Sequence, residues 1–96
     1  MKVMVLYDIT ENKVRNAVVN TLEEFGFYRL QKSVFIGNLK ENIYKSFLAY
    51  VGRHVGGENK VYIVPMTDNS YKNIQTLGES KKYVLGILRK NQFEIK

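Results

Sequence analysis

Cysteine is absent from the 96 residues of this chain, and histidine occurs once, at position 54. Without thiols the chain cannot form disulfides or zinc–cysteine sites, and it cannot perform thiol catalysis. No apolar run is long enough for a signal peptide or a membrane span, so we expect a soluble, cytoplasmic protein. The pair Gly56-Gly57 is not a phosphate-binding P-loop, because the Lys-Ser or Lys-Thr of that motif is missing.

Positive charge is in excess. Lys and Arg number 15 against nine acidic residues, which gives a formal net charge of +6. This balance favours a polyanionic partner such as nucleic acid, although solvated surface lysines are the alternative interpretation. The length suits one domain, and a domain of this size buries only a modest core, so a second subunit would help to stabilise it.

The first half of the hydrophobic pattern predicts a strand, a helix and a strand region. An apolar run at residues 2–7 ends at Asp8 and suits a buried central strand. Thr10 is placed to cap a helix that Gly26 ends. Residues 27–37 predict two short strands or one bent strand, with the break near residues 31–33. The apolar face of the helix contains Val14, Ala17, Val18, Leu22 and Phe25.

The second half predicts another helix and strand. Asn38 and Glu41 have capping-box spacing, and residues 60–64 form a strand that Pro65 closes. The resulting β-α-β-β-α-β order is typical of a ferredoxin-like α+β sandwich, with the first strand central and the last at the edge beside it. The apolar face of the second helix contains Ile43, Phe47, Leu48 and Val51.

The residues after position 67 do not fit the four-stranded pattern. Residues 73–78 suit one more short strand, and extension of a second subunit's sheet would give that strand a partner. We therefore predict a domain over residues 1–80 that includes this exchanged strand. Residues 81–96 are predicted to form a C-terminal tail, with a short helix in it.

Asp8 is the leading candidate for metal chemistry, because it ends a rigid strand close to several cations. A lone Asp at this position also suits a turn or a helix cap. One carboxylate holds Mg²⁺ poorly, and the chain has neither an Asp-x-Asp pair nor a histidine cluster. A two-fold dimer would supply the partner's Asp8 as the second carboxylate.

The cations nearest to Asp8 in sequence are candidates for phosphate binding or transition-state stabilisation, with solvated surface charge as the alternative. They are Lys13, Arg15, Arg29 and Lys32. Tyr28 and Phe35 have ring faces that would stack on bases, yet their strand spacing also fits a packed core.

Three segments resemble the CRISPR-associated Cas-two (Cas2) family: Tyr7-Asp8-Ile9-Thr10, Lys13-Val14-Arg15 and the stretch from Arg29 to Gly37. The resemblance extends to about residue 80. It implies a ferredoxin-like homodimer with an exchanged C-terminal strand and magnesium bound at Asp8. It further implies a metal-dependent endonuclease on single-stranded RNA or double-stranded DNA, acting in spacer acquisition with the Cas-one (Cas1) integrase.

The resemblance also assigns roles to individual residues. The predicted catalytic residues are Tyr7, Asp8, Arg15, Arg29 and Phe35, and the predicted nucleic-acid-binding residues are Lys13, Arg15, Arg29, Lys32 and Ser33. Some family members carry a second helix arginine where this chain has Ala17. The alternatives are a non-catalytic DNA-binding scaffold, a toxin-type ribonuclease of the same fold, and an RNA-binding or small-ligand regulatory domain.

Overall fold

The structure is a computed structural model that describes residues 1–78. The predicted β-α-β-β-α-β order is confirmed, and a short further helix follows it. Within residues 1–78, no helix has the length and apolar character needed to cross a membrane. The elements are β1 (Lys2–Asp8), α1 (Asn12–Glu24), β2 (Tyr28–Gln31), β3 (Val34–Asn38), a 3₁₀ turn (Glu41–Ile43), α2 (Tyr44–Gly52), β4 (Lys60–Met66) and α3 (Asp68–Lys72).

The four strands form one sheet in the order β2-β3-β1-β4. Every neighbouring pair is antiparallel. As predicted, β1 is central and β4 lies at the edge beside it. The strand region at residues 27–37 is two strands, and the turn between them falls at Lys32 and Ser33. This α+β arrangement agrees with the predicted ferredoxin-like sandwich.

The hydrophobic core lies between one face of the sheet and helices α1 and α2. Side chains alternate along a strand, so Val3, Val5 and Tyr7 of β1 point into this core. The ring of Phe27 stacks on that of Phe47 with centroids 5.0 Å apart. Further core residues come from α1, β3 and α2: Val18, Leu22, Phe35 and Val51.

The opposite face of the sheet is not covered by α1 or α2. Residues paired across antiparallel strands share a face, so the register defines rows of side chains there. The rows through Met4 and Leu6 are apolar. The next row along β1 is charged and consists of Asp8 opposite Lys60. Tyr62 and Val64 on this face are 55% and 41% exposed. We call it the open face, although its Lys2 end lies against Tyr71 of α3 and Ile36 on it is 1% exposed. Its apolar residues are Met4, Leu6, Val34, Ile36, Tyr62 and Val64.

Both helix caps predicted from the sequence are wrong. The N-cap of α1 is Glu11, which makes no side-chain capping bond, so Thr10 lies before the cap. The Asn38–Glu41 capping box does not form, because the Asn38 carboxamide oxygen accepts a hydrogen bond from the N-terminal ammonium of Met1 at 3.2 Å. Lys40 is the N-cap of the 3₁₀ turn instead.

Two strand predictions also differ from the structure. Strand β4 continues through Pro65 to Met66. An edge strand tolerates proline, because a residue whose amide faces the outer side has no neighbouring strand to bond. Residues 74–77 have no regular secondary structure in the single chain, and α3 precedes them. The pairing of residues 73–78 with a second subunit stays a prediction. The tail predicted at residues 81–96 lies outside the described residues.

The apolar face of α2 is narrower than predicted. Phe47 and Val51 are buried, but Ile43 and Leu48 are 36% and 38% exposed. Ile43 belongs to the 3₁₀ turn, whose different winding takes it off the helix face. On α1 the predicted face is confirmed, and Gly26, with φ of +82°, follows the helix end.

Candidate functional site

Asp8 is the last residue of the central strand, and its side chain is exposed. It follows Met4 and Leu6 in the alternation of β1, so it belongs to the open face. Its neighbour on β4 is Lys60, which is also exposed. Paired residues of antiparallel strands have Cβ atoms about 4.5–5.5 Å apart. A carboxylate and an ammonium group therefore emerge side by side at this end of the sheet.

The turn between β2 and β3 lies on the other side of β1. The Tyr7 amide donates a hydrogen bond to the Ser33 carbonyl at 3.1 Å. The Tyr7 hydroxyl donates to the Lys32 carbonyl at 2.7 Å. These two bonds fix Lys32 and Ser33 beside the end of β1. Two of the predicted nucleic-acid-binding residues thus lie near Asp8.

Arg15 holds the loop that follows Asp8. Its guanidinium donates to the Ile9 carbonyl at 3.2 Å, and it also bonds the Asn12 side chain. Arg15 is half-buried, so its charge is only partly available to a ligand. Lys13, in the first turn of α1, is fully on the surface. Both residues belong to the segment that connects Asp8 to α1.

A buried asparagine joins this segment to the start of β4, and sequence reasoning missed it. The Asn59 amide donates to the Glu11 carboxylate at 3.3 Å and to the Gly56 carbonyl at 3.0 Å. Glu11 is the N-cap of α1, and Asn59 precedes Lys60. The bond therefore ties together the two chain segments that carry Asp8 and Lys60. In the sequence, Asn59 after Gly56-Gly57 indicated only a turn.

Tyr7 and Phe35 lie on the helix side of the sheet, away from Asp8. They are 8% and 1% exposed, and their ring centroids are 6.2 Å apart. The Arg29 guanidinium carbon lies 5.0 Å from the Phe35 ring centroid, a cation–π contact at the β2 edge. Arg29 pairs with Phe35 in the register, so it too belongs to the helix side. Tyr28, by contrast, is exposed.

The metal-binding capacity of one chain is small. Within residues 1–78, no group of three or more His, Asp and Glu side chains is placed to hold an ion. Asp8 alone provides one carboxylate, whereas protein-bound Mg²⁺ takes one or two carboxylates together with waters and phosphate oxygens. Asp8 alone meets the lower end of this range, and a second carboxylate, such as that of another subunit, would complete a pair.

The chain is similar to one known protein family and to solved structures. A family model described as "CRISPR associated protein Cas2" matches residues 1–74. A relative from Korarchaeum cryptofilum (strain OPF8), named "CRISPR-associated endoribonuclease Cas2", is 30% identical over 82 residues, which cover 84% of this chain and 88% of the relative. The fold of Streptococcus pyogenes Cas2 matches with a TM-score of 0.70 at 20% identity, covering 81% of this chain and 100% of that one.

A further relative is much longer than this chain. It comes from Thermoproteus tenax (strain ATCC 35583 / DSM 2078 / JCM 9277 / NBRC 100435 / Kra 1) and is named "CRISPR-associated endonuclease Cas1/endonuclease Cas2 fusion". It is 41% identical over 59 residues, which cover 62% of this chain and 22% of the relative. The S. pyogenes match confirms the ferredoxin-like fold class, and the family match covers the whole described sheet together with α1, α2 and α3.

Proposed function

This chain belongs to the family of CRISPR associated protein Cas2, and we propose on that basis that it is a magnesium-dependent endonuclease. The reaction would be hydrolysis of phosphodiester bonds in single-stranded RNA or double-stranded DNA. The observation that carries the proposal is the position of Asp8, exposed at the end of the central strand on the open face. The name of the K. cryptofilum relative, an endoribonuclease, supports the RNA substrate.

We propose that the active form is a homodimer in which two open faces stack. Tyr62 and Val64 expose apolar surface on this face, and burial of such surface drives association. The charged row of Asp8 and Lys60 borders the apolar rows, so the interface would extend to this row. In an isologous contact, a two-fold axis that passes close to the Asp8 end of β1 would bring the two Asp8 carboxylates together.

The paired Asp8 residues would hold the metal, and magnesium would polarise the phosphodiester and lower the pKa of a bound water. The side chains of Lys32 and Lys13 would attract the nucleic-acid backbone. Arg15 would keep the loop after Asp8 in place through its bond to the Ile9 carbonyl. Tyr7 would support the same site through the Lys32 carbonyl.

A second candidate function is a DNA-binding scaffold that works with the Cas1 integrase in spacer acquisition. The fusion of a Cas1 unit with a Cas2 unit in the T. tenax relative favours this partnership. The net charge of +6 suits backbone contacts, which fix the position of DNA without reading its sequence. Such a scaffold would need its cations and would not need Asp8.

The test is cleavage of labelled RNA and duplex DNA by the wild type and by Asp8→Ala, with magnesium and with chelator. Cleavage by Asp8→Ala should fall at least about 100-fold, because a bound metal contributes several kcal/mol of transition-state stabilisation. Binding measured in chelator should stay close to that of the wild type. Glu41→Gln, which removes an exposed carboxylate in the 3₁₀ turn, is the matched control and should cleave normally.

Cleavage that persists in Asp8→Ala, or in wild type with chelator, would overturn the catalytic assignment. Loss of spacer acquisition on reversal of the basic residues, with full acquisition by Asp8→Ala, would instead establish the scaffold function.

A further inference from the structure

We infer that Lys60 is a phosphate-binding residue of the Asp8 site, which pairs a metal-binding carboxylate with a phosphate-binding ammonium from the neighbouring strand. The inference deepens the proposed nuclease function and rests on it. Lys60 lies far from Asp8 in sequence, and only the β1–β4 register brings the two together.

The first argument is position. Lys60 is the direct cross-strand neighbour of Asp8, so both side chains leave the same face at the same end of the sheet. Arg29 belongs to the opposite face, where it lies over Phe35. The backbone therefore places the Lys60 side chain next to that of Asp8 on the same face. The Asn59 bonds to Glu11 and Gly56 fix the chain immediately before it.

The second argument is charge. A Lys opposite an Asp in a ladder also suits a simple surface ion pair, which contributes little to stability. In the proposed dimer, however, the two Asp8 carboxylates would hold one divalent cation, which would neutralise their negative charge. The two Lys60 ammonium groups are then left without an anionic partner at the site. A phosphodiester, which carries one negative charge per phosphate, supplies that partner.

The third argument is reach. A Lys side chain is a flexible stem with a compact, strongly hydrated charge, so it binds a phosphate oxygen as a point charge without strict geometry. From the position beside Asp8, its ammonium can contact a phosphate that is bound to the metal or the phosphate next to it. The same group would attract the backbone before any metal binds.

The experiment compares Lys60→Gln and Lys60→Arg with unsubstituted Lys60. Binding of a fluorescein-labelled single-stranded RNA is measured in chelator with Asp8→Ala as the common background, so that no Asp8 carboxylate competes for the Lys60 ammonium. Cleavage is measured in magnesium with Asp8 intact. Lys40→Gln is the matched control, because it removes one exposed lysine next to the opposite end of the sheet. Circular dichroism and sedimentation verify that each variant is folded and has the wild-type oligomeric state.

Lys60→Gln should bind the RNA about three- to tenfold more weakly at low salt. The slope of log Kd against log salt concentration should fall by about 0.7 for each phosphate that Lys60 neutralises. Lys60→Arg should restore binding, because the charge is retained. Lys40→Gln should change binding by less than about twofold. In cleavage, Lys60→Gln should raise KM and leave kcat near the wild-type value.

The inference would be overturned if Lys60→Gln and Lys40→Gln bound the RNA equally well and with the same salt dependence. It would also be overturned if Lys60→Gln weakened the dimer but left RNA binding unchanged. The two proposals fail separately. A wild type that never cleaves refutes the nuclease function, yet weaker binding by Lys60→Gln in chelator still supports the phosphate contact. Cleavage that requires Asp8 but ignores Lys60 refutes only the role of Lys60.

Discussion

Tyr7 and Asp8 are adjacent residues that serve opposite faces of β1. The Tyr7 ring is buried against the helices, while Asp8 is exposed on the open face. Because side chains alternate along a strand, two neighbouring residues at a strand end point to opposite faces of the sheet. The Tyr7 hydroxyl already donates to the Lys32 carbonyl, so we expect Tyr7 to position the turn rather than to contact the substrate.

Replacement of Tyr7 by Phe tests this role. The ring would remain in the core and the Lys32 carbonyl would lose its donor, so the free energy of unfolding should fall by about 1 kcal/mol. For a domain of this size the melting temperature should then drop by about 4–8 °C. Urea titration and thermal melting measure the change, and kcat for RNA cleavage should stay within about twofold of wild type.

Tyr28→Phe is the control, because Tyr28 is 47% exposed, and it should leave stability unchanged. A Tyr7→Phe protein of wild-type stability with a strongly reduced kcat would show that the hydroxyl takes part in the chemistry.

At the scale of elements, the strands and helices followed from the hydrophobic pattern, but their ends depended on contacts remote in sequence. The apolar run of β1 and the helical spacing of Val18 and Leu22 predicted a central strand and a packed α1. The Asn38 side chain, by contrast, bonds the N-terminus instead of capping a helix. A side chain that could cap a helix can also bond a group that is distant in sequence. The local sequence motif does not show whether such a distant group is present.

In the candidate site, too, the contacts between residues distant in sequence were not predictable. The strand-end position of Asp8 was predictable from the sequence, and the family resemblance pointed to its metal role and to Arg15, Arg29 and Phe35. Lys60 and Asn59 were not predictable, because they approach Asp8 and Glu11 only through the strand register and the loop before β4. Helix α3 was missed because its five residues are too few to show a hydrophobic period.

The caps themselves can be compared by experiment. The Thr67 hydroxyl oxygen accepts a hydrogen bond from the Ser70 amide at 3.0 Å, which caps α3, whereas Thr10 caps nothing. Thr67→Ala should therefore lower the free energy of unfolding by about 1 kcal/mol, because the first turn of α3 loses its acceptor. Thr10→Ala should change it by less than about 0.5 kcal/mol.

Chemical denaturation of the two variants provides the measurement. Helix α3 carries the buried Tyr71, whose ring lies 4.8 Å below the Lys2 ammonium, so its loss would also loosen the start of β1. Equal destabilisation by the two substitutions, or a larger effect of Thr10→Ala, would contradict the assignment of the caps.

For the whole molecule, the proposed paired site depends on association, because β1 ends in one carboxylate, that of Asp8. Tyr62 is the most exposed residue of the apolar rows on the open face, at 55%. Tyr62→Glu would place one charge in each half of a two-fold interface, so the two charges would repel as well as lose hydration. The dimer dissociation constant should rise at least about 100-fold.

Analytical ultracentrifugation over a concentration series would measure the dissociation constant, and magnesium-dependent RNA cleavage would be followed at the same concentrations. Cleavage by Tyr62→Glu should fall with the dimer fraction and recover as the protein concentration is raised, because Asp8 itself is intact. Leu48→Glu is the control, because Leu48 is 38% exposed on α2, on the helix side of the sheet. The dimer dissociation constant and the cleavage activity of this variant should match those of wild type. A Tyr62→Glu protein that cleaves at the wild-type rate as a monomer would refute the paired-Asp8 site, since a single carboxylate would then suffice.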